Sequence, residues 1–191
     1  MNPIIWAVEL VNRVIGKLMG WVMLGLVLLV TFDVIARKLF NFGMVIVQET
    51  EWWLFSIIFL SCAGYTFLYD EHVRVDIIYS KLSQKGKNIV DLTCAFVFLF
   101  PMCILLIWTS LWFIEDSWNA RGGLGEISAD PGGWCCYYVL KSFIPFGFFL
   151  LFLQGAVNVY KIILALLGKR VMGVEEDSLS ARAARAVEKN Q

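Results

Sequence analysis

The residues that could do chemistry are the ionisable side chains set into apolar surroundings. Charge is costly inside a bilayer, so each such group needs a partner or a purpose. Asp33 stands four residues before Arg37, in the acid-then-base order that lets the two pair along one helix face. A structural ion pair is favoured over an ion-coupling carboxylate, because Asp33 lies only about one turn, ~6 Å, from its helix end. Glu49 and Glu51 are expected to open the next helix, where carboxylates meet the positive end of the dipole, with Trp52 and Trp53 as interfacial anchors. A contact of Glu51 or Trp52 with another subunit is a further role for the same residues.

The segment Asp70-Glu71-His72-Val73-Arg74-Val75-Asp76 follows that helix. His72, Arg74 and Asp76 read either as a docking element or as a polar loop turning into an interfacial helix through Val73, Ile77, Ile78 and Leu82. His72 is the chain's only histidine, so haem cannot be held between two histidines of one chain, and no zinc ligand set is visible around it. Cys62, Cys94 and Cys103 fall in apolar runs as small packing residues, while Cys135 and Cys136 are adjacent. Neighbouring cysteines rarely bond, because the ring is strained, and structural or incidental thiols are expected rather than a redox or metal pair. No phosphate-binding loop, nucleophile-base constellation or dinucleotide fingerprint is present. Catalysis and a bound cofactor are therefore not expected.

These residues are carried on membrane helices. The 191-residue chain is 59% hydrophobic and only 17% charged, too apolar for an ordinary soluble domain. Sixteen basic and sixteen acidic residues cancel, so no overall field attracts nucleic acid. Four runs approach the roughly 20 apolar residues that a spanning helix needs. They extend from about Leu18 to Ala36, Trp52 to Tyr69, Ile89 to Ile114, and Tyr137 to Ile163 or Leu167. The first is read as a retained anchor rather than a cleaved leader. Pro101 and Pro145 fall inside the third and fourth runs, where each frees a backbone carbonyl.

Basic residues concentrate before the first run (Arg13, Lys17), after the second (Arg74, Lys81, Lys85, Lys87) and after the fourth, whereas Arg37, Lys38, Arg121 and Lys141 flank the opposite ends. Positive residues stay on the cytoplasmic side, which places both termini there. The stretch from Glu115 to Gly133, acidic and rich in glycine, then caps the outer face. Ile4, Ile5, Val8, Val11 and Ile15 alternate with Glu9, Asn12 and Arg13, which predicts an amphipathic helix lying in the interface before the first span. Gly16 with Gly20, and Ser61 with Gly64, are spacings that let helices approach closely. The expected fold is thus an all-α integral membrane domain over residues 1–168, followed by a polar cytoplasmic tail over 169–191.

The order of these features resembles the small membrane subunit, DctQ type, of tripartite ATP-independent periplasmic (TRAP) transporters. The resemblance rests on Phe32-Asp33-Val34 to Arg37 and Phe40, the Glu51-Trp52 pair, Gly64 followed by His72-Val73-Arg74-Val75-Asp76, and the Lys141 to Gln154 stretch with Pro145. The Glu126 to Gly133 loop and the Lys141 to Gly155 run look like the branch associated with keto acids, lactate and related organic anions, with small sulfonates a further option; Cys135 and Cys136 depart from that branch. The resemblance implies a sodium-driven importer in the bacterial inner membrane. A periplasmic substrate-binding protein would deliver the anion, a large membrane subunit would hold substrate and sodium, and this chain would brace that subunit among the lipids while its outer loops help receive the binding protein. Asp33, Arg37, Glu51, Trp52, His72, Arg74 and Asp76 are the candidate interface or structural residues. The competing reading is a self-sufficient homo-oligomeric transporter or channel. It would need a polar pathway, for which only Asp33 and Asp91 offer themselves, both near helix ends.

Overall fold

The computed structural model describes residues 3–41, 43–69 and 84–167. They form four long helices: α1 (Pro3–Phe40), α2 (Val45–Leu68), α3, which joins Gln84–Cys94 through a π-helical stretch Ala95–Leu99 to Phe100–Gly123, and α4 (Tyr137–Leu166). Each contains a stretch long and apolar enough to cross a membrane. Extended pairing among the described residues is limited to a bridge between Ile127 and Cys135. The all-α membrane class and the four expected spans are therefore what the chain forms. The His72, Arg74 and Asp76 element, the interfacial helix expected after it, and the polar tail lie outside the described residues.

The helices make an open layer. α1 packs along α2, α2 along α4 and α4 along α3, with a lighter contact between α1 and α4. Their outward faces carry large apolar side chains such as Trp21, Phe59, Phe98, Trp108 and Trp112, as lipid contact requires. Because lipid tails are as apolar as the side chains, close approach and polar contacts must hold the helices together. Gly147 on α4 lies against the backbone carbonyl of Leu60 on α2, and Gly64 on α2 lies against both Asn12 of α1 and the backbone at Leu150 of α4. Ser61, one turn before Gly64, is buried. Gly16 packs under the ring of Tyr65, whereas Gly20 faces open space, so only the first half of that glycine pair serves packing.

Three boundaries differ from expectation. The N-terminal segment is helical but does not lie apart in the interface: α1 is one unbroken helix of 38 residues, about 57 Å long. Its polar face has protein rather than headgroups to meet. Glu9 and Asn12 are buried, Lys161 of α4 forms an ion pair with Glu9 at 2.5 Å, and Asn12 Nδ2 donates to Gln154 Oε1 at 3.0 Å and to the Val8 carbonyl at 3.2 Å. Second, α2 begins at Val45, so Glu49 and Glu51 stand in its second turn, beyond the reach of the helix dipole. Third, α3 continues past Ile114 and is broken only at Ala120–Gly122. Glu115 and Asp116 therefore lie on an exposed helical turn rather than in the outer loop. The π-helical turn, in which the Phe100 N–H reaches the Ala95 carbonyl, ends just before Pro101. It loosens the backbone where the proline ring would otherwise crowd the carbonyl four residues back.

Two predictions follow from this packing. Gly147→Ala should lower the thermal midpoint in detergent, with overpacking of about 1–3 kcal/mol, while Gly20→Ala leaves it unchanged or raises it; equal effects would contradict the close approach. Lys161→Met should strand the buried Glu9 carboxylate and cost about 3–5 kcal/mol. Adding Glu9→Leu should then recover much of that loss, a coupling that a double-mutant thermal-unfolding cycle reads directly.

Candidate functional site

The end of the molecule that carries the α1–α2 turn and the α3–α4 loop, outer in the orientation expected from the flanking charges, gathers the candidate residues that are described. Asp33, 3% exposed, is ion-paired with Arg37, whose side chain is about half in the open. The Arg37 stem lies along Gly43 in the α1–α2 turn, where a side chain at position 43 would crowd it. Glu51, on the adjoining face of α2, is within electrostatic reach of both Asp33 and Arg37. Its Oε1 has no hydrogen-bond partner among the described residues. The structure thus brings Asp33, Arg37 and Glu51 into one cluster across the α1–α2 turn. Trp52 is not part of it: 76% exposed, it points away from the helix layer.

A second network ties the outer loop to three helices, and sequence reasoning missed its pairings. Glu49 accepts hydrogen bonds from Ser128 Oγ and, at 2.5 Å, from the Trp134 N–H. Trp134 Nε1 donates to Thr50 Oγ1 at 2.7 Å, and the Trp134 ring lies 5.8 Å from that of Trp53, which also meets Tyr137 edge-on. Trp53 rather than Trp52 is therefore the residue locked under the cap. Gly133 is needed where the loop closes, since a Cβ there would fall 2.4 Å from Ser128 Oγ and 2.5 Å from Glu49 Oε1. On the other side, Glu126 receives Ser117 Oγ of α3 at 2.6 Å and Lys141 Nζ of α4. Lys141 Nζ also sits 3.8 Å above the Phe113 ring, a cation–π contact with α3.

The only signals for these pairings in the sequence were single charged residues beside apolar runs, which do not name distant partners. The inner pairs left a better trace. Glu9, Asn12 and Gly16 recur on one face of α1, and Gln154 and Lys161, seven apart, on one face of α4. Two polar stripes on apolar helices predict each other.

Chemically, Asp33 with Arg37 and Glu126 with Lys141 at one end, and Glu9 with Lys161 at the other, neutralise one another within the protein. Among the described residues no three histidine, cysteine or acidic side chains cluster as metal ligands. Trp52 and part of the Arg37 side chain are exposed at the outer end, features that suit a contact surface.

Lys141 first, then Ser117, hold the Glu126 carboxyl below the ordinary carboxylate value of 4.5. A lowered folded value means that the stabilisation is complete above the ordinary value and disappears as pH falls through the folded one. The thermal midpoint of the native chain should therefore exceed that of Glu126→Gln at neutral pH, and the gap should close on acidification below 4.5. A gap that stays constant to low pH would remove Glu126 from the network.

No curated protein matches the chain. A family model described as tripartite ATP-independent periplasmic transporters, DctQ component, matches residues 26–165. That match runs from the middle of α1 to the end of α4 and takes in both outer networks, so the chain belongs to the DctQ family, the small membrane components of TRAP transporters.

Proposed function

We propose that this chain is the brace of a sodium-driven importer of organic anions in a bacterial inner membrane. It holds the static part of the large membrane subunit among the lipids, with both termini in the cytoplasm, and its outer loop helps to receive the periplasmic substrate-binding protein. The observation that carries this reading is the open layer. α3 has α4 as its main helical neighbour and α1 leans mostly on α2, so the two flanks remain free for a larger partner, while the buried polar side chains Asn12 and Gln154 bind each other instead of lining a path. Such a surface suits a scaffold contact and offers little with which to desolvate a carboxylate. Keto acids, lactate or small sulfonates as cargo are proposed on the resemblance of the Glu126 to Gly133 loop and the Lys141 to Gly155 run alone. The exposed Trp52, next in sequence to Glu51, and the half-open Arg37 are proposed as contact residues, and the His72, Arg74 and Asp76 element as a second contact.

Purification of the tagged chain from its native membrane in mild detergent should recover a stoichiometric, much larger membrane protein. Trp52→Ala or Arg37→Ala should reduce that recovery several-fold and slow sodium-dependent uptake. A homo-oligomer that transports alone in liposomes would overturn the brace in favour of a self-sufficient transporter.

A further inference from the structure

Cys135 and Cys136 occupy the joint between the outer loop and α4. In extended backbone, successive side chains leave opposite faces, so adjacent thiols are held apart. Cys136 instead has φ +68°, a left-handed conformation uncommon for residues other than glycine, asparagine and aspartate. That turn puts both thiols on one side with their Sγ atoms 3.2 Å apart, closer than two sulfurs rest in simple contact.

The backbone around the turn is held from both directions. Ser128 N–H bonds the Trp134 carbonyl at 3.0 Å, Tyr137 N–H bonds the Glu126 carbonyl at 3.1 Å, and Val139 N–H bonds the Cys136 carbonyl at 3.0 Å. Cys135 pairs with Ile127 in the bridge that closes the loop. The juxtaposition is thus built in, and a non-glycine residue kept in an unfavourable conformation points to a use for it. Cys135 is exposed and Cys136 partly so, which leaves the sulfurs open to a reagent.

No third histidine, cysteine or acidic ligand joins the pair among the described residues, which argues against a tetrahedral metal site. Its hydrogen bond with Cys136, and the repulsion a second thiolate would meet, push the Cys135 thiol up.

We propose that Cys135 and Cys136 form a redox site, a vicinal dithiol that closes to a disulfide by exchange with a protein disulfide oxidant on the same side of the membrane. One cysteine, losing its proton, attacks a sulfur of the oxidant's disulfide, forming a mixed disulfide and expelling one oxidant thiolate. The second cysteine, also losing its proton, attacks the first cysteine's sulfur and expels the other oxidant thiolate. Two thiols have then become one disulfide, and the oxidant's disulfide has taken up the electron pair and both protons. The new ring spans a single peptide bond, so it fixes the left-handed turn and with it the angle at which the loop leaves α4. This inference does not depend on the transport reading, since it concerns only the loop's own sulfurs.

The test uses the full chain in mild detergent, equilibrated with reduced or oxidised glutathione, quenched with an alkylating agent and digested for mass analysis. In oxidised glutathione the peptide with Cys135 and Cys136 should be lighter by two hydrogens and carry neither alkyl group nor glutathione, while Cys62, Cys94 and Cys103 label as they do in the reduced sample. Phenylarsine oxide should protect both sulfurs of the reduced chain from alkylation, and should lose that effect in Cys135→Ser and in Cys136→Ser. Sulfurs that remain open to alkylation in oxidised glutathione, that carry separate glutathione adducts, or that join two chains into a dimer would overturn the proposal.

Discussion

Asn12 is where the constraint on this molecule is most concentrated. In hydrocarbon no water competes for polar groups, and no hydrophobic force draws one apolar helix to another. A buried amide there must find its partners within the protein, and the helices that supply them become fixed relative to one another. Asn12 lies on α1, donates to Gln154 on α4, and sets its Oδ1 where a Cβ at Gly64 of α2 would fall. Three helices meet at one side chain that is 1% exposed. The Glu9–Lys161 pair, three residues along α1, extends the same contact towards the headgroups. Removing the Gly64 hydrogen in favour of a methyl, or the Asn12 amide in favour of a hydrocarbon, would separate the same three helices by different routes.

The spacing of the charged pairs then fits the bilayer. Along α1, Glu9 and Asp33 stand about 36 Å apart, and along α4, Lys141 and Lys161 about 30 Å, at ~1.5 Å per residue. Both compare with a hydrocarbon core about 30 Å thick. Each of these charges is paired, Asp33 with Arg37, Lys141 with Glu126 and Lys161 with Glu9. A slab of that thickness is thus bracketed by ion pairs at both ends, and between them the Asn12–Gln154 bond links α1 to α4.

Much of this was readable from the residues, for reasons that also explain the misses. Hydropathy exposed the four spans because lipid tolerates little polarity on any face, and the Asp33–Arg37 pair was readable because its partners are four residues apart on one helix. The N-terminal segment was misplaced because a face bearing Glu9, Asn12 and Arg13 is equally suited to headgroups and to another helix; only the matching stripe of Gln154 and Lys161 decides between them. The end of α3 was set too early because Glu115 and Asp116 look like loop residues, yet they are exposed on a turn that already stands beyond the apolar run. Glu49 with Ser128, and Glu126 with Lys141, were out of reach because local spacing carries no information about a loop folding back over three helices. Cys135 and Cys136 were read as structural or incidental thiols because a ring between neighbours is strained; their adjacency in sequence does not reveal the left-handed turn at Cys136 that sets the two sulfurs 3.2 Å apart.

The two ends of the molecule are consequently held by different means. Towards the inner face, α1, α2 and α4 are joined directly, side chain to side chain. α3 does not share in that contact: it leans on α4 through Phe100 against Phe152 and through Leu99 over Gly155, at the π-helical turn where its own backbone is least regular. A helix with one main neighbour can pivot on it. What limits the pivot is the outer loop, because Ser117 of α3 is bound to Glu126, Glu126 to Lys141 of α4, and the far side of the same loop to Glu49 of α2. The loop is therefore a tie rod across the open layer as much as a surface for a partner. Any change in its geometry, including a change at the Cys135–Cys136 joint, would be transmitted to the angle of α3.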